Sequence, residues 1–166
     1  MKLRFKYQRF QADAAKAVVD VFAGQPYLTQ SYMMDAGVVN SAQQVLIEED
    51  FTGWRNEPLV PAMTDEIVLK RIQEIQKHHQ ITVSDKLENH YNLTVEMETG
   101  VGKTYTYIKT MYELNQHYGW TKFIVVVPSV AIREGVYKSF QVTEDHFVEE
   151  YGKKIRYFIY NSKQLT

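Results

Sequence analysis

The sequence holds no cysteine among its 166 residues, which excludes disulfides and cysteine-ligated zinc and suits a reducing compartment. It also has no long apolar run: nothing approaches the roughly 18 residues that a membrane-spanning helix requires. The basic start Met1-Lys2-Leu3-Arg4-Phe5-Lys6 leads into Tyr7-Gln8-Arg9-Phe10-Gln11 instead of the apolar core of a signal peptide. The expectation is a soluble, cytoplasmic protein with no membrane partner. An excess of one charge is missing too. With a formal net charge of -1, the chain lacks the global positive field that many nucleic-acid binders carry, so any contact with phosphates must be a local patch. Repeats and low-complexity tracts are absent as well.

What is present is an ordinary globular composition, 45% hydrophobic and 23% charged, at a length that fits one domain. Phe10, Ala14, Ala17, Val18, Val21 and Phe22 recur at three- and four-residue steps and predict a helix, which Gly24 and Pro26 stop. Residues 27–63 are mixed in polarity and broken by Gly37, Gly53, Pro58 and Pro61, a pattern of turns with short strands. Thr64-Asp65-Glu66 reads as a helix start, a capping hydroxyl followed by acids suited to the positive end of the helix dipole. Val68, Ile72 and Ile75 supply its apolar stripe, and the helix fades near His78 and His79. Those two histidines are adjacent, so on a helix they point apart and belong to the surface rather than to a shared metal.

Leu93-Thr94-Val95-Glu96-Met97 alternates like a strand and runs into a glycine loop, after which Ile108, Met111 and Leu114 mark a helix from Thr104 to Tyr118. Phe123-Ile124-Val125-Val126-Val127, ended by Pro128, has the look of a strand buried on both faces of a parallel sheet. A helix is expected over Val130 to Phe140, a short one near Glu144 to Tyr151, and a last strand over Ile155 to Tyr160. Strands alternating with helices imply an α/β sandwich with a mostly parallel sheet and right-handed crossovers.

Thr99-Gly100-Val101-Gly102-Lys103-Thr104 matches the later part of the P-loop pattern, in the expected place between a strand and a helix. The glycines let successive backbone N–H groups turn toward a β-phosphate, and the following helix directs its positive end there. Lys103 neutralises β/γ charge, and the Thr104 hydroxyl can ligate Mg²⁺. The pattern usually opens with glycine, whereas Met97 stands at that position. The plainer alternative is a strand-to-helix turn that merely needs glycine. Far upstream, Gln11 carries a side-chain amide that can donate and accept at once, as reading adenine N6 and N7 requires, and Phe10 can pack on the base. A helix-start glutamine facing water is the alternative there.

Phe10-Gln11-Ala12-Asp13-Ala14, followed by Val18-Val19-Asp20-Val21-Phe22, resembles the glutamine motif of superfamily 2 helicases. Residues Val95 to Thr104 together with Val126 to Val136 are similar to the motor region of the Res subunits of type III restriction-modification enzymes. The resemblance spans residues 10–26 and 93–165 and is weaker over 27–92. It implies the N-terminal part of a RecA-like, P-loop NTPase ATP-binding domain, a three-layer α/β sandwich incomplete on its C-terminal side. Residues 10–26 would be the glutamine-motif helix, 27–92 an insertion of unassigned role, and 93–166 the P-loop and motif Ia units. It implies ATP and Mg²⁺ as cofactors, with Phe10 and Gln11 at the adenine and Thr99, Gly100, Val101, Gly102, Lys103 and Thr104 around the triphosphate. Lys103 and Thr104 would be catalytic, Thr104 meeting Mg²⁺ through the nucleotide, and Pro128, Ser129 and Arg133 would approach the nucleic-acid backbone. The implied activity is ATP-dependent translocation on double-stranded DNA and its site-specific cleavage by the intact subunit, partnered with a modification methyltransferase subunit.

An ATPase of this class also needs an acidic pair after a later strand to hold Mg²⁺ and orient water. No Asp-Glu pair in an apolar context follows the loop; Glu144-Asp145 lies in a polar stretch and reads as a solvated helix start. The expectation is a fragment that binds nucleotide but is inactive alone. Two rivals stay open: a small P-loop NTPase complete in itself, which would turn over ATP alone, and a non-catalytic nucleotide-binding remnant. Lys153, Lys154, Arg156 and Lys163 form either a basic edge for phosphates or a solvated charge run. Of the tyrosines at 105, 107, 112 and 118, at least half are expected to pack against the sheet rather than offer a stacking platform.

Overall fold

A computed structural model describes residues 5–28, 55–89 and 91–160. Helix α1 spans Arg9–Val21, α2 Asp65–His78, α3 Lys103–Tyr118 and α4 Val130–Tyr151. The chain divides into two compact units, one of residues 8–126 and one of residues 1–7 with 127–166. Among the described residues, no helix is long and apolar enough to cross a membrane.

In the larger unit, α1 packs on both α3 and α2. It can do so because its buried residues point in two directions. Val19 joins Leu114 and Tyr118 of α3, while Val21 joins Met63 and Val68 at α2. Phe22 serves both clusters, with Trp120 on one side and Leu59, Ile72, Ile75 and Leu93 on the other. Polar groups tie the irregular chain to this core. The Gln25 amide donates to the Pro58 carbonyl at 3.1 Å and accepts from the Val60 N–H at 2.9 Å, bridging two stretches far apart in sequence. Asn56 does the same at the end of α3, accepting from the N–H groups of Thr121 and Lys122 and donating to the Lys122 carbonyl. Helix α2 starts as its sequence predicts, with the Thr64 hydroxyl accepting from the Ile67 N–H and two acids in the first turn. Gly119 ends α3 at φ 76°, where a Cβ would lie 2.4 Å from the Leu28 carbonyl oxygen.

In the smaller unit, α4 is one continuous helix where two were expected. No glycine or proline interrupts Gln141-Val142-Thr143, and the Thr143 hydroxyl bonds back to the Ser139 carbonyl at 2.8 Å. Phe140, Thr143 and Phe147 form its buried stripe. Phe140 stacks on Tyr157, with ring centroids 4.8 Å apart. Glu144 therefore sits inside a helix and pairs with Lys154 at 2.9 Å, instead of beginning one.

The described residues do not form the expected α/β sandwich. Among the described residues there is no strand and hence no sheet, parallel or otherwise, so the three-layer P-loop NTPase (RecA-like) architecture is overturned. Residues 93–97, 123–127 and 155–160 take no strand pairing. The physical reason is that a β-branched run specifies extended backbone locally, while a strand exists only when a neighbour about 4.8 Å away accepts its ladder of hydrogen bonds. Nor is the second run buried on both faces: Ile124 is 91% and Val126 87% exposed, while Phe123 and Val125 on the alternate side are each 37% exposed. Most of the irregular stretch expected over residues 27–63 lies outside the described residues.

Candidate functional site

The glycine loop lies in the larger unit and leads into α3. Its shape follows from two residues in left-handed backbone, Gly100 at φ 85° and Gly102 at φ 89°. A side chain strains such a conformation, so glycine is the physical choice at both. Gly102 is the N-cap of α3, and its carbonyl accepts from the Thr106 N–H at 3.0 Å and the Thr106 hydroxyl at 3.2 Å. The N–H groups of Gly100 to Thr104 take part in no backbone hydrogen bond among the described residues. They are the unpaired donors that every helix start leaves, here lengthened by a turn. Beside Gly100 an added Cβ would meet nothing within 4 Å, so the loop is open on that side.

Lys103 and Thr104 occupy the first turn of α3. The exposed Lys103 ammonium donates to the carbonyls of Met97 (2.6 Å) and Glu98 (2.7 Å), so it folds back along the chain that enters the loop. Thr104 is half-buried. One turn further, the Tyr107 hydroxyl is enclosed with no hydrogen-bond partner of good geometry. Burial raises its phenol above the ordinary tyrosine value, and the neighbouring Thr104 hydroxyl offsets part of that rise. Tyr112 and Tyr118 are 6% and 5% exposed, packed within this helical unit rather than on a sheet. Tyr118 donates its hydroxyl to the Val19 carbonyl at 2.8 Å, and burial, with Asp20 adding to it, raises its phenol. Tyr105 and Tyr107 are half-buried, so this helix offers no open row of tyrosines.

Gln11 meets the loop directly. From the first turn of α1, its Nε2 donates to the Val101 carbonyl at 2.8 Å, across 90 positions of sequence. A Cβ on Gly102 would lie 2.6 Å from that same nitrogen. Phe10, beside it, is 46% exposed. Gln11, Val101 and Gly102 thus form one cluster. The contact was not legible in the sequence, because a carbonyl partner leaves no mark on residue type. The carbonyls of Met97 and Glu98 went unread for the same reason.

The residues matched to a nucleic-acid contact stand in the smaller unit. Pro128 and Ser129 are exposed. Ser129 caps α4, its hydroxyl accepting from the Ile132 N–H at 3.3 Å. Arg133 pairs with its neighbour Glu134, Nε and one terminal nitrogen lying 3.1 and 2.8 Å from the same carboxylate oxygen. Of the basic edge, Lys154 is paired with Glu144, Lys153 and Arg156 both have partners, and Lys163 lies outside the described residues. His78 and His79 are exposed, with ring centroids 5.2 Å apart. Among the described residues, no group of three or more histidine, aspartate or glutamate side chains is placed to hold a metal.

Comparison with known proteins gives this loop a context. Residues 37–165 match the family model described as "Type III restriction enzyme, res subunit". The chain is 32% identical over 109 residues to the EcoPI Res subunit of Escherichia phage P1, a match covering 61% of the chain and 11% of that protein. It is 39% identical over 74 residues to the EcoP15I Res subunit of Escherichia coli, covering 43% of the chain and 8% of the relative. To the StyLTI Res subunit of Salmonella typhimurium strain LT2 it is 42% identical over 71 residues, covering 43% and 7%. The chain therefore spans about a tenth of the length of these relatives. The family match includes the whole glycine loop and the start of α4, while Phe10 and Gln11 precede it. This chain belongs to the family of type III restriction enzyme Res subunits.

Proposed function

We propose that the chain is the ATP-binding portion of a DNA-dependent ATPase and translocase, the motor of a type III restriction endonuclease. The observation that carries this reading is the loop itself: two glycines in left-handed backbone present a run of unpaired N–H groups at the start of α3, with Lys103 and Thr104 in its first turn. Such an array suits a triphosphate, because unpaired amides and the positive end of a helix dipole both favour negative charge. The space beside Gly100, where an added Cβ would meet nothing within 4 Å, supports the same reading.

In this reading Lys103 leaves the carbonyls of Met97 and Glu98 and turns its ammonium toward the β- and γ-phosphates. Thr104 would offer its hydroxyl to Mg²⁺, and the ion would supply positive charge to offset that of the phosphates. Phe10 and Gln11 lie toward the adenine. Pro128, Ser129 and Arg133 approach the DNA backbone, and Arg133 then exchanges Glu134 for a phosphate. In this reading the intact enzyme acts on double-stranded DNA with a modification subunit; its relatives are named as Res subunits of restriction-modification enzymes. Nothing in the reading requires the chain alone to complete catalysis.

The test is Lys103→Ala in the intact subunit. Loss of the cation that faces the γ-phosphate is expected to abolish ATP hydrolysis, a fall of at least about a hundredfold, as for removal of a single preorganised electrostatic partner. Unchanged turnover would remove the assignment.

A further inference from the structure

We propose that Gln11 is a positioning residue for the phosphate loop: by holding the Val101 carbonyl, it fixes the loop shape that receives a triphosphate, whatever base that triphosphate carries. The inference rests on the nucleotide reading above and assigns Gln11 a task separate from contact with adenine.

The argument begins with the peptide unit. The carbonyl of Val101 and the N–H of Gly102 belong to one planar trans peptide and point in opposite directions. Pinning the carbonyl at 2.8 Å therefore sets the direction of the Gly102 N–H, which faces away from Gln11. Left to itself this peptide has little to hold it. Gly102 follows it and Gly100 precedes Val101, and glycine gives the least resistance to rotation of the adjoining peptides. The second observation is steric. Gly102 leaves a space that the Gln11 amide fills, since a methyl there would stand 2.6 Å from Nε2. Donor and missing side chain interlock.

The anchor is firm because α1 is not free to move from α3. Val19 packs with Leu114 and Tyr118, and the Tyr118 hydroxyl bonds the Val19 carbonyl at 2.8 Å. Helix α1 thus reaches the loop from a base packed on the helix that the loop begins. A base-reading role would ask Nε2 for adenine N7 and Oε1 for the N6 amino group. Nε2 carries two hydrogens, so the loop contact and a base contact can coexist, and experiment separates them.

The experiment titrates the chain and its Gln11→Met variant with MgATP, MgGTP and magnesium tripolyphosphate by calorimetry. Methionine keeps the length and removes the donor. The expected result is a common loss of roughly three- to tenfold for all three ligands, the worth of one neutral hydrogen bond. A loss confined to ATP, or no loss at all, overturns the proposal and leaves the nucleotide reading standing. Binding of none of the three by the unaltered chain overturns both. A second measurement holds if Gln11→Met folds poorly: Gly102→Ala made in the original chain and in Gln11→Ala. The loss in tripolyphosphate affinity from Gly102→Ala should be smaller where Gln11 is gone, because the 2.6 Å clash is gone with it. Equal losses in the two backgrounds contradict the interlock.

Discussion

Helix α3 and the run Phe123–Val126 are both rich in apolar side chains, and they end in opposite circumstances. Ile108 in α3 is 1% exposed, whereas Ile124 is 91% exposed. The difference lies in what each element needs from its neighbours. A helix satisfies its own backbone and asks only for an apolar surface beside one stripe, which α1 supplies. An extended run must find its hydrogen bonds on another segment, and among the described residues none pairs with it. The candidate site inherits that contrast. The loop borders the element that is packed, so its glycines and Lys103 stand on a fixed base.

Substitution at the two isoleucines breaks or sharpens this comparison. The largest effect is expected from Ile108→Ala, which should destabilise the larger unit by about 2–5 kcal/mol in denaturant unfolding, the usual range for deleting a buried aliphatic side chain. A cost below about 1 kcal/mol would mean that Ile108 is not enclosed as described. The smallest is expected from Ile124→Thr, which should change stability by no more than about 0.5 kcal/mol, since the side chain already faces solvent. A cost of several kcal/mol there would show that the run is covered.

The same contrast explains what could be read from residue order. Helix signals were legible where they are local: the Thr64 cap, the end of α3 at Tyr118, and the stripe Val68, Ile72, Ile75. The turn at Gly100 and Gly102 and the helix start near Lys103 were legible for the same reason, since backbone sign and helix start are written in residue type. The lack of strand pairing among the described residues was not legible, because alternation at Leu93–Met97 and the apolar run at Phe123–Val127 state a capacity for pairing and not the pairing. The two-sided use of α1 was also hidden. Val19 and Val21 lie on one short helix, and only the tertiary arrangement sends one to α3 and the other to α2. Joining the expected helices over 130–140 and 144–151 into α4 needed nothing more than the absence of a breaker between them. The partnership of Gln11 with Val101 was the least accessible of all, a contact between an amide and a main-chain oxygen 90 positions away.

Hydrogen exchange at the N–H groups of Gly100 to Thr104, with and without saturating MgATP, tests most directly whether these groups receive a triphosphate. Protection should rise there first and most. Exchange at those amides that stays unchanged while ATP is bound would contradict the account.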